Sequence, residues 1–297
     1  MMPASSAEAI SLTSADGITR RQVRVRGLWV HVEIYGQGEP LLLHSGLWAE
    51  AGLWRPLLPY LSGYQVIAFD PPGVGGSQMP ILPLTMAGLA AVGAGVLDKL
   101  GIESAHVLGS SFGGAVAQQM ALCYPSRVRR LVLVSTSFGN FSWPGDPMAL
   151  WLLMLPGSFQ QPRLEQVAGR MFGGRLRAEP DLMRSMHIRL PGSIQAAMYR
   201  MAPLFGWTSL PWLWAIRQPT LIICGDDDPI TPHINHTIMR LLIRDARLYT
   251  VKGGGHLALV DSPDQVAPVI AEFLGARAPA PAPAQPGEPS PGFRPAA

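Results

Sequence analysis

Apolar residues recur along this chain in two rhythms. Gln22–Val25, Trp29–Ile34, Leu41–Leu43 and Gln65–Phe69 are short apolar or alternating runs separated by turn residues, the pattern of strands. Residues 86–100 (MAGLAAVGAGVLDKL) carry their apolar positions at helical spacing instead. The rhythms then alternate. A strand is expected at Ala105–Leu108, a helix at Ala115–Leu122 stopped by Pro125, a strand at Arg130–Val134, and later strands at Thr220–Cys224 and Arg247–Val251. Such alternation predicts the α/β class, with a mostly parallel central sheet covered by helices on both faces. Arg20, Arg21, Arg24 and Arg26 punctuate an early strand, which predicts an edge whose charges discourage strand-to-strand aggregation.

Residues 138–217 break the alternation. Seven of the 13 methionines and five of the eight tryptophans fall there. Thioethers fill irregular apolar shapes, so the segment predicts a helical cap over the carboxyl edge of the sheet, enclosing an adaptable pocket. The cap divides the core into residues 19–137 and 218–276. Residues 1–18 are small and polar, and residues 277–297 are dominated by proline and alanine (APAPAPAQPGEPSPG). Neither composition builds a core, so both ends are expected to be disordered.

Composition narrows the partners. Hydrophobic residues make up 48 % of the 297, and charged residues only 14 %, below the roughly 25 % usual for soluble domains. The net charge is +3, and no basic face with interleaved aromatics accompanies it, which argues against nucleic acid. The opening MMPASSAEAI lacks the basic and apolar regions of a secretory signal. No apolar run reaches the ~18 residues of a membrane span. A cytoplasmic enzyme is expected. Cys123, in a helical pattern, and Cys224, in a strand, read as small buried hydrophobes and not as a disulfide framework.

The chemistry concentrates in AHVLGSSFGGAVAQQ. Gly109-x-Ser111-x-Gly113 lies between an apolar strand and a helix, the setting of a nucleophile elbow. A serine on so tight a turn stands clear of the backbone only if its neighbours two residues away are tiny. The helix that follows also aims its N-terminal N–H groups at developing negative charge. The glycines are not spaced as G-x-G-x-x-G, which argues against a dinucleotide turn. FDPPGVGGS (residues 69–77) lacks the Gly-Lys-Ser/Thr end of a phosphate loop.

A serine hydroxyl needs a base. Of seven histidines, His256 lies in KGGGHLAL after the last strand, in a glycine-rich loop expected to swing the imidazole toward the serine. His31 and His106 belong to strands, His44 borders the loop after an early strand, and His187 sits in the cap without an evident partner. His233 and His236, three apart, lack a third ligand, so no metal and no cofactor are expected. The base needs an acid to fix its tautomer. Asp228 in LIICGDDDPITP leaves a strand at the right place, with Asp226 and Asp227 as close rivals. The order Ser, Asp, His is that of an α/β-hydrolase. The oxyanion hole is expected from the backbone N–H groups of Phe112, next after the serine, and of Leu47 in LLLHSGLW. Trp48, Met171 and Trp207 are candidates for the substrate pocket.

At these residues the chain resembles the intracellular poly(3-hydroxyalkanoate) depolymerases of the medium-chain-length type. The similar stretches are FDPPGVGGS, SSFGGAVAQQMALCYPSRVRRLVL, FGWTSLPWLW, QPTLIICGDDDPITPHIN and GGGHLAL. FGWTS (residues 205–209) is the most telling, because it lies outside the common hydrolase motifs. The resemblance implies an α/β-hydrolase fold, hydrolysis of esters of 3-hydroxy fatty acids with apolar acyl chains, action at the surface of storage granules, and a triad of Ser111, Asp228 and His256. A small-molecule carboxylesterase or lactonase of the same fold fits the same motifs. So does a hydrolase-fold ligand receptor or granule-coat protein with an idle triad. Acyl-chain preference and oligomeric state are left open by the sequence.

Overall fold

The computed structural model describes residues 11–13, 17–47, 49–155, 162–184 and 194–275. Its strands are β1 (Ser11–Thr13), β2 (Thr19–Val25), β3 (Leu28–Tyr35), β4 (Glu39–His44), β5 (Tyr64–Phe69), β6 (Ala105–Ser110), β7 (Val128–Val134), β8 (Thr220–Gly225) and β9 (Ala246–Val251). They form one nine-stranded sheet in the order β1-β2-β3-β5-β4-β6-β7-β8-β9. β1, β2, β3 and β5 pair antiparallel, whereas every pairing from β5 through β9 is parallel. This is the α/β-hydrolase architecture that the sequence predicts.

Alternation along the parallel strands divides the core between two faces. Leu42, Ile67, Val107, Leu131 and Ile222 point to one side, where α1 (Met86–Lys99) and α2 (Phe112–Cys123) pack. Leu41, Leu43, Leu108, Val132 and Ile223 point to the other, toward a 3-10 helix at Ala51–Tyr60 and a long C-terminal helix at Pro263–Leu274. Local chemistry sets helix ends. Thr85 accepts from the Gly88 N–H at 3.1 Å to start α1. The C-terminal helix begins with Pro263 in its first turn and ends at Gly275 in the left-handed region, φ 91°.

The chain leaves β7 and returns at β8 through an insertion. Its helices are α3 (Pro147–Met154), α4 (Arg163–Phe172) and α5 (Ile194–Met201), with short 3-10 turns between and after them. Three further helices complete the chain: α6 (His233–Leu242), α7 (Ala258–Asp261) and α8, the C-terminal helix already given.

The N-terminal expectations need correction. Residues 11–13 form β1, although the stretch 1–18 was expected to be without order, and Ile18 is buried. Residues 1–10 and 14–16 and the proline-rich tail 277–297 lie outside the described residues. β2 is not the outermost strand, because β1 pairs with Thr19–Arg21 and leaves only Gln22–Val25 at the edge. Arg20 does more than guard an edge. It donates to the buried Glu33 carboxylate at 3.0 Å. Cys123 is exposed at the end of α2, whereas Cys224 is buried as expected.

Candidate active site

The strand order places a switch point between β4 and β6. β4 connects onward to β5 on one side, and β6 connects through α2 to β7 on the other, so the loops at their carboxyl ends diverge and leave a crevice. His44 of β4 pairs with Gly109 of β6. The residues that follow, Ser45–Leu47 and Ser110–Phe112, therefore emerge side by side. Two strands further on, Gly225 of β8 pairs with Val251 of β9, and the loops bearing Asp228 and His256 emerge together.

Ser111 sits between β6 and α2 with φ 52° and ψ −120°, a conformation rarely adopted by a residue with a side chain. The turn is held by its own hydrogen bonds. The Ser111 N–H donates to the Val134 carbonyl at 2.9 Å, and the Ser111 carbonyl accepts from Thr136 Oγ1 at 2.7 Å. The glycines around it are required by space. A Cβ on Gly109 would strike the Gly113 carbonyl, one on Gly113 would strike the His44 carbonyl, and one on Gly114 would lie 2.5 Å from the Thr136 Cβ.

His256 reaches this serine. Its Nε2 is 2.8 Å from Ser111 Oγ, and its Nδ1 is 2.9 Å and 3.1 Å from the two Asp228 oxygens. Asp228 is buried and accepts three further bonds: from the Ile230 N–H at 2.8 Å, the Thr231 N–H at 3.0 Å and Thr231 Oγ1 at 2.6 Å. Burial alone would push its carboxyl up. The facing imidazole and the Thr231 donors outweigh burial and hold it below the usual carboxylate range. The rival carboxylates are engaged elsewhere. Asp226 accepts from the Gly253 N–H at 2.7 Å, and Asp227 pairs with Arg177 at 2.6 Å and 3.0 Å and accepts from the Gly174 N–H.

The glycines before His256 have a role different from the expected mobility. Gly254 lies against Gly225, and Gly255 against the backbone of Phe172 and Gly173 at the end of α4. The His256 N–H donates to the Phe172 carbonyl at 2.7 Å. Small residues let three segments approach closely, and the imidazole is held there instead of swinging.

Above Ser111 lies a cavity of about 430 Å³, whose wall includes Leu53, Leu150, Leu153, Met154, Met201 and Trp207 beside Ser111 and His256. Leu47 and Phe112 also border it. Of the expected pocket residues, Trp207 is in place, and Trp48 lies outside the described residues. Met171 does not line the cavity. It is fully buried in the packing of α4. The FGWTS segment joins the insertion to the helix that follows Ser111. Trp207 donates to Gln119 Oε1 at 2.8 Å, Ser209 donates to Gln118 Oε1 at 2.6 Å, and Thr208 donates to the Phe138 carbonyl at 2.7 Å.

The other described histidines have partners or surroundings away from Ser111. His44 and His236 are buried, and burial pushes them down to about 3 and about 4. His233 Nε2 contacts Thr250 Oγ1 at 2.9 Å, and His106 pairs with Glu39 at 2.9 Å. His187 lies outside the described residues. Among the described residues, no three potential metal-ligating side chains come together.

Two residues at the site escaped the sequence reading. Thr231 follows Asp228 by three positions, a spacing that lets its hydroxyl and its N–H close back on the carboxylate. Arg200 interrupts the apolar MYRM of α5, and a lone charge in an apolar helical stretch was its only signal.

Sheet, elbow and site together are those of an α/β-hydrolase. Residues 39–192 and 200–263 match the α/β-hydrolase fold family, and the chain belongs to it and is a hydrolase by class. It is 40 % identical over 239 residues to a poly(3-hydroxyalkanoate) depolymerase from Ectopseudomonas oleovorans, covering 79 % of this chain and 84 % of that protein. It is 28 % identical over 273 residues to a 2-hydroxy-6-oxo-6-phenylhexa-2,4-dienoate hydrolase from Comamonas testosteroni, covering 84 % of this chain and 92 % of that protein. The solved structure of a hydrolase from Pseudomonas aeruginosa PA01 superposes with a TM-score of 0.68 at 26 % identity, covering 91 % of this chain and all of that one.

Proposed function

We propose that the protein is a serine esterase that cleaves esters of 3-hydroxy fatty acids, acting on poly(3-hydroxyalkanoate) or its oligomers inside the cell. The observation that carries this reading is the chain of contacts from Asp228 through His256 to Ser111 Oγ at the floor of an apolar cavity. His256 takes the Ser111 proton as Oγ attacks the ester carbonyl, and Asp228 holds the imidazole in the tautomer this requires. The N–H groups of Leu47 and Phe112 receive the oxyanion, with the start of α2 behind them. His256 returns the proton to the departing alcohol, then activates the water that releases the acid. None of these steps calls for a cofactor. The insertion acts as a cap, with Leu150, Leu153, Met201 and Trp207 against the acyl chain.

The substrate assignment draws on the 40 % identity to the depolymerase and on the cavity wall, which suits an alkyl chain. Apolar side chains of the cap that face solvent, among them Trp143, Trp151 and Phe205, suit contact with a granule surface. No helix among the described residues is long and apolar enough to cross a membrane.

The test compares a poly(3-hydroxyoctanoate) emulsion, 4-nitrophenyl octanoate and 4-nitrophenyl acetate, with fluorophosphonate labelling of Ser111. Clearing of the emulsion and loss of labelling and turnover in Ser111→Ala are expected. Fast acetate turnover without clearing would make the enzyme a small-ester hydrolase or lactonase. An unlabelled, inert wild type would make it a binding protein.

A further inference from the structure

Arg200 is the one charged side chain of α5 among the described residues, and it is buried. Its Nε donates to the Leu47 carbonyl at 3.0 Å and its Nη2 to the Gly46 carbonyl at 3.2 Å. Its guanidinium carbon lies 5.0 Å from the centre of the Phe112 ring. Nη1 has no partner, and no carboxylate pairs with the group among the described residues. Burial pushes it down to about 9, so it stays charged at neutral pH. Asp70 acts on it only through space, without pairing with it, and a buried cation with no directly paired carboxylate is costly to keep.

The explanation lies in which carbonyls it holds. The Gly46 carbonyl and the Leu47 N–H belong to one peptide unit, which is planar and trans, so the two groups point in opposite directions. The Gly46 oxygen also accepts from the Ala49 N–H at 3.3 Å; Arg200 adds the second bond that fixes the oxygen on its side and so turns the N–H to the opposite side. Gly46 in turn lies beside the serine: a Cβ built on it would be 3.7 Å from Ser111 Cβ. The same guanidinium covers the ring of Phe112, whose N–H is the other proposed donor. One side chain from the insertion thus touches both residues of the oxyanion hole. We infer that Arg200 is a positioning residue, which fixes the Gly46–Leu47 peptide with its N–H toward the reacting carbonyl and makes the hole complete only when the insertion is seated. This inference rests on the assignment of Ser111 as nucleophile and of Leu47 as oxyanion donor.

The experiment uses the full chain with Arg200→Met, Arg200→Lys and Ser111→Ala. Turnover of a soluble 4-nitrophenyl ester is measured beside inhibition by an alkyl trifluoromethyl ketone, which forms a tetrahedral adduct on the serine. Thermal unfolding is followed in parallel. Loss of one oxyanion donor costs about a hundredfold or more in kcat. For Arg200→Met, a fall in kcat of about a hundredfold is expected, with KM within about threefold and a parallel loss of ketone affinity. Its Tm stays near the parent's, because a lost buried charge offsets the lost bonds. Arg200→Lys, whose ammonium cannot bond two carbonyls and cover a ring at once, falls between the two. Unchanged kcat, a change in KM alone, or kcat loss that merely follows loss of the fold in both variants would overturn the inference. Retained turnover in Ser111→Ala would instead remove the nucleophile assignment on which it rests.

Discussion

Trp207 donates its indole N–H to Gln119 at 2.8 Å, so a wall of the cavity is bolted to the helix that begins at Ser111. Gln118, one position earlier, is bonded to Ser209 at 2.6 Å and donates to the Ser137 carbonyl at 3.0 Å. Position and shape of the cavity are therefore referred to the same helix that presents the serine.

Trp207→Phe keeps most of the wall and removes the donor. A loss of about 1 kcal/mol is expected from the broken bond, with turnover of a short ester unchanged. Trp207→Ala enlarges the cavity, and the ratio of kcat/KM for long over short acyl chains should rise. A chain-length series of 4-nitrophenyl esters measures it, and an unaltered ratio would remove Trp207 from the pocket.

The three adjacent aspartates are separable. Asp228→Asn disturbs the tautomer of His256, and kcat should fall by about 10⁴. Asp227→Asn removes the charge of a half-exposed pair with Arg177, while its remaining oxygen can still accept from the Gly174 N–H, so stability should fall by about 1 kcal/mol or less with turnover nearly intact. Steady-state kinetics and thermal melts of both variants decide the matter. Equal losses of kcat would contradict the assignment.

Gly113→Ala is expected to be damaging although it adds one methyl. The new Cβ would overlap the His44 carbonyl, a backbone atom that cannot rotate away. A cost of about 3 kcal/mol is expected in denaturant unfolding, with loss of fluorophosphonate labelling as the serine turn shifts.

Acid stability should depend on Glu33. Burial would raise its carboxyl, but His31, Tyr35, Arg20 and Arg55 outweigh this and bring it down to about 2. A carboxyl lowered by folding contributes stability that is present above its unfolded value of about 4.5 and is lost as pH falls toward about 2. Glu33→Gln should be less stable than the parent at neutral pH, and the gap should narrow across that window. Urea midpoints at a series of pH values give the comparison. A gap independent of pH would place the effect in packing and not in charge.

Much of the fold was legible because it follows from local rules. The strands of the parallel sheet are short apolar runs bounded by turn residues, and the elbow announces itself by glycines that space forces at fixed offsets. Ser111, Asp228 and His256 could be picked because each follows a strand. What escaped depends on distance in space. β1 is too short to show a period. Met171 was placed in the pocket on residue type, but which side of α4 faces the cavity is decided by packing. KGGGH suggested mobility, whereas Gly253 sits at positive φ, Gly254 is pressed against Val251, and Gly255 against the backbones of Phe172 and Gly173. Arg200 acts on a loop some 150 residues away, and no pattern in the chain connects the two.

The insertion departs from β7 and rejoins at β8, strands that pair side by side through Val134 and Ile223. Because the two strands run parallel, the insertion leaves at the carboxyl end of β7, where Ser135 lies beside Ile223, and returns at the amino end of β8, where Pro219 lies beside Leu131. A segment exchanged for it between Ser135 and Pro219 must therefore cross the length of the strands as well as roof the cavity. Such a segment would also have to replace the Arg200 bonds to the Gly46 and Leu47 carbonyls, of which the Gly46 oxygen would keep only the 3.3 Å bond from the Ala49 N–H.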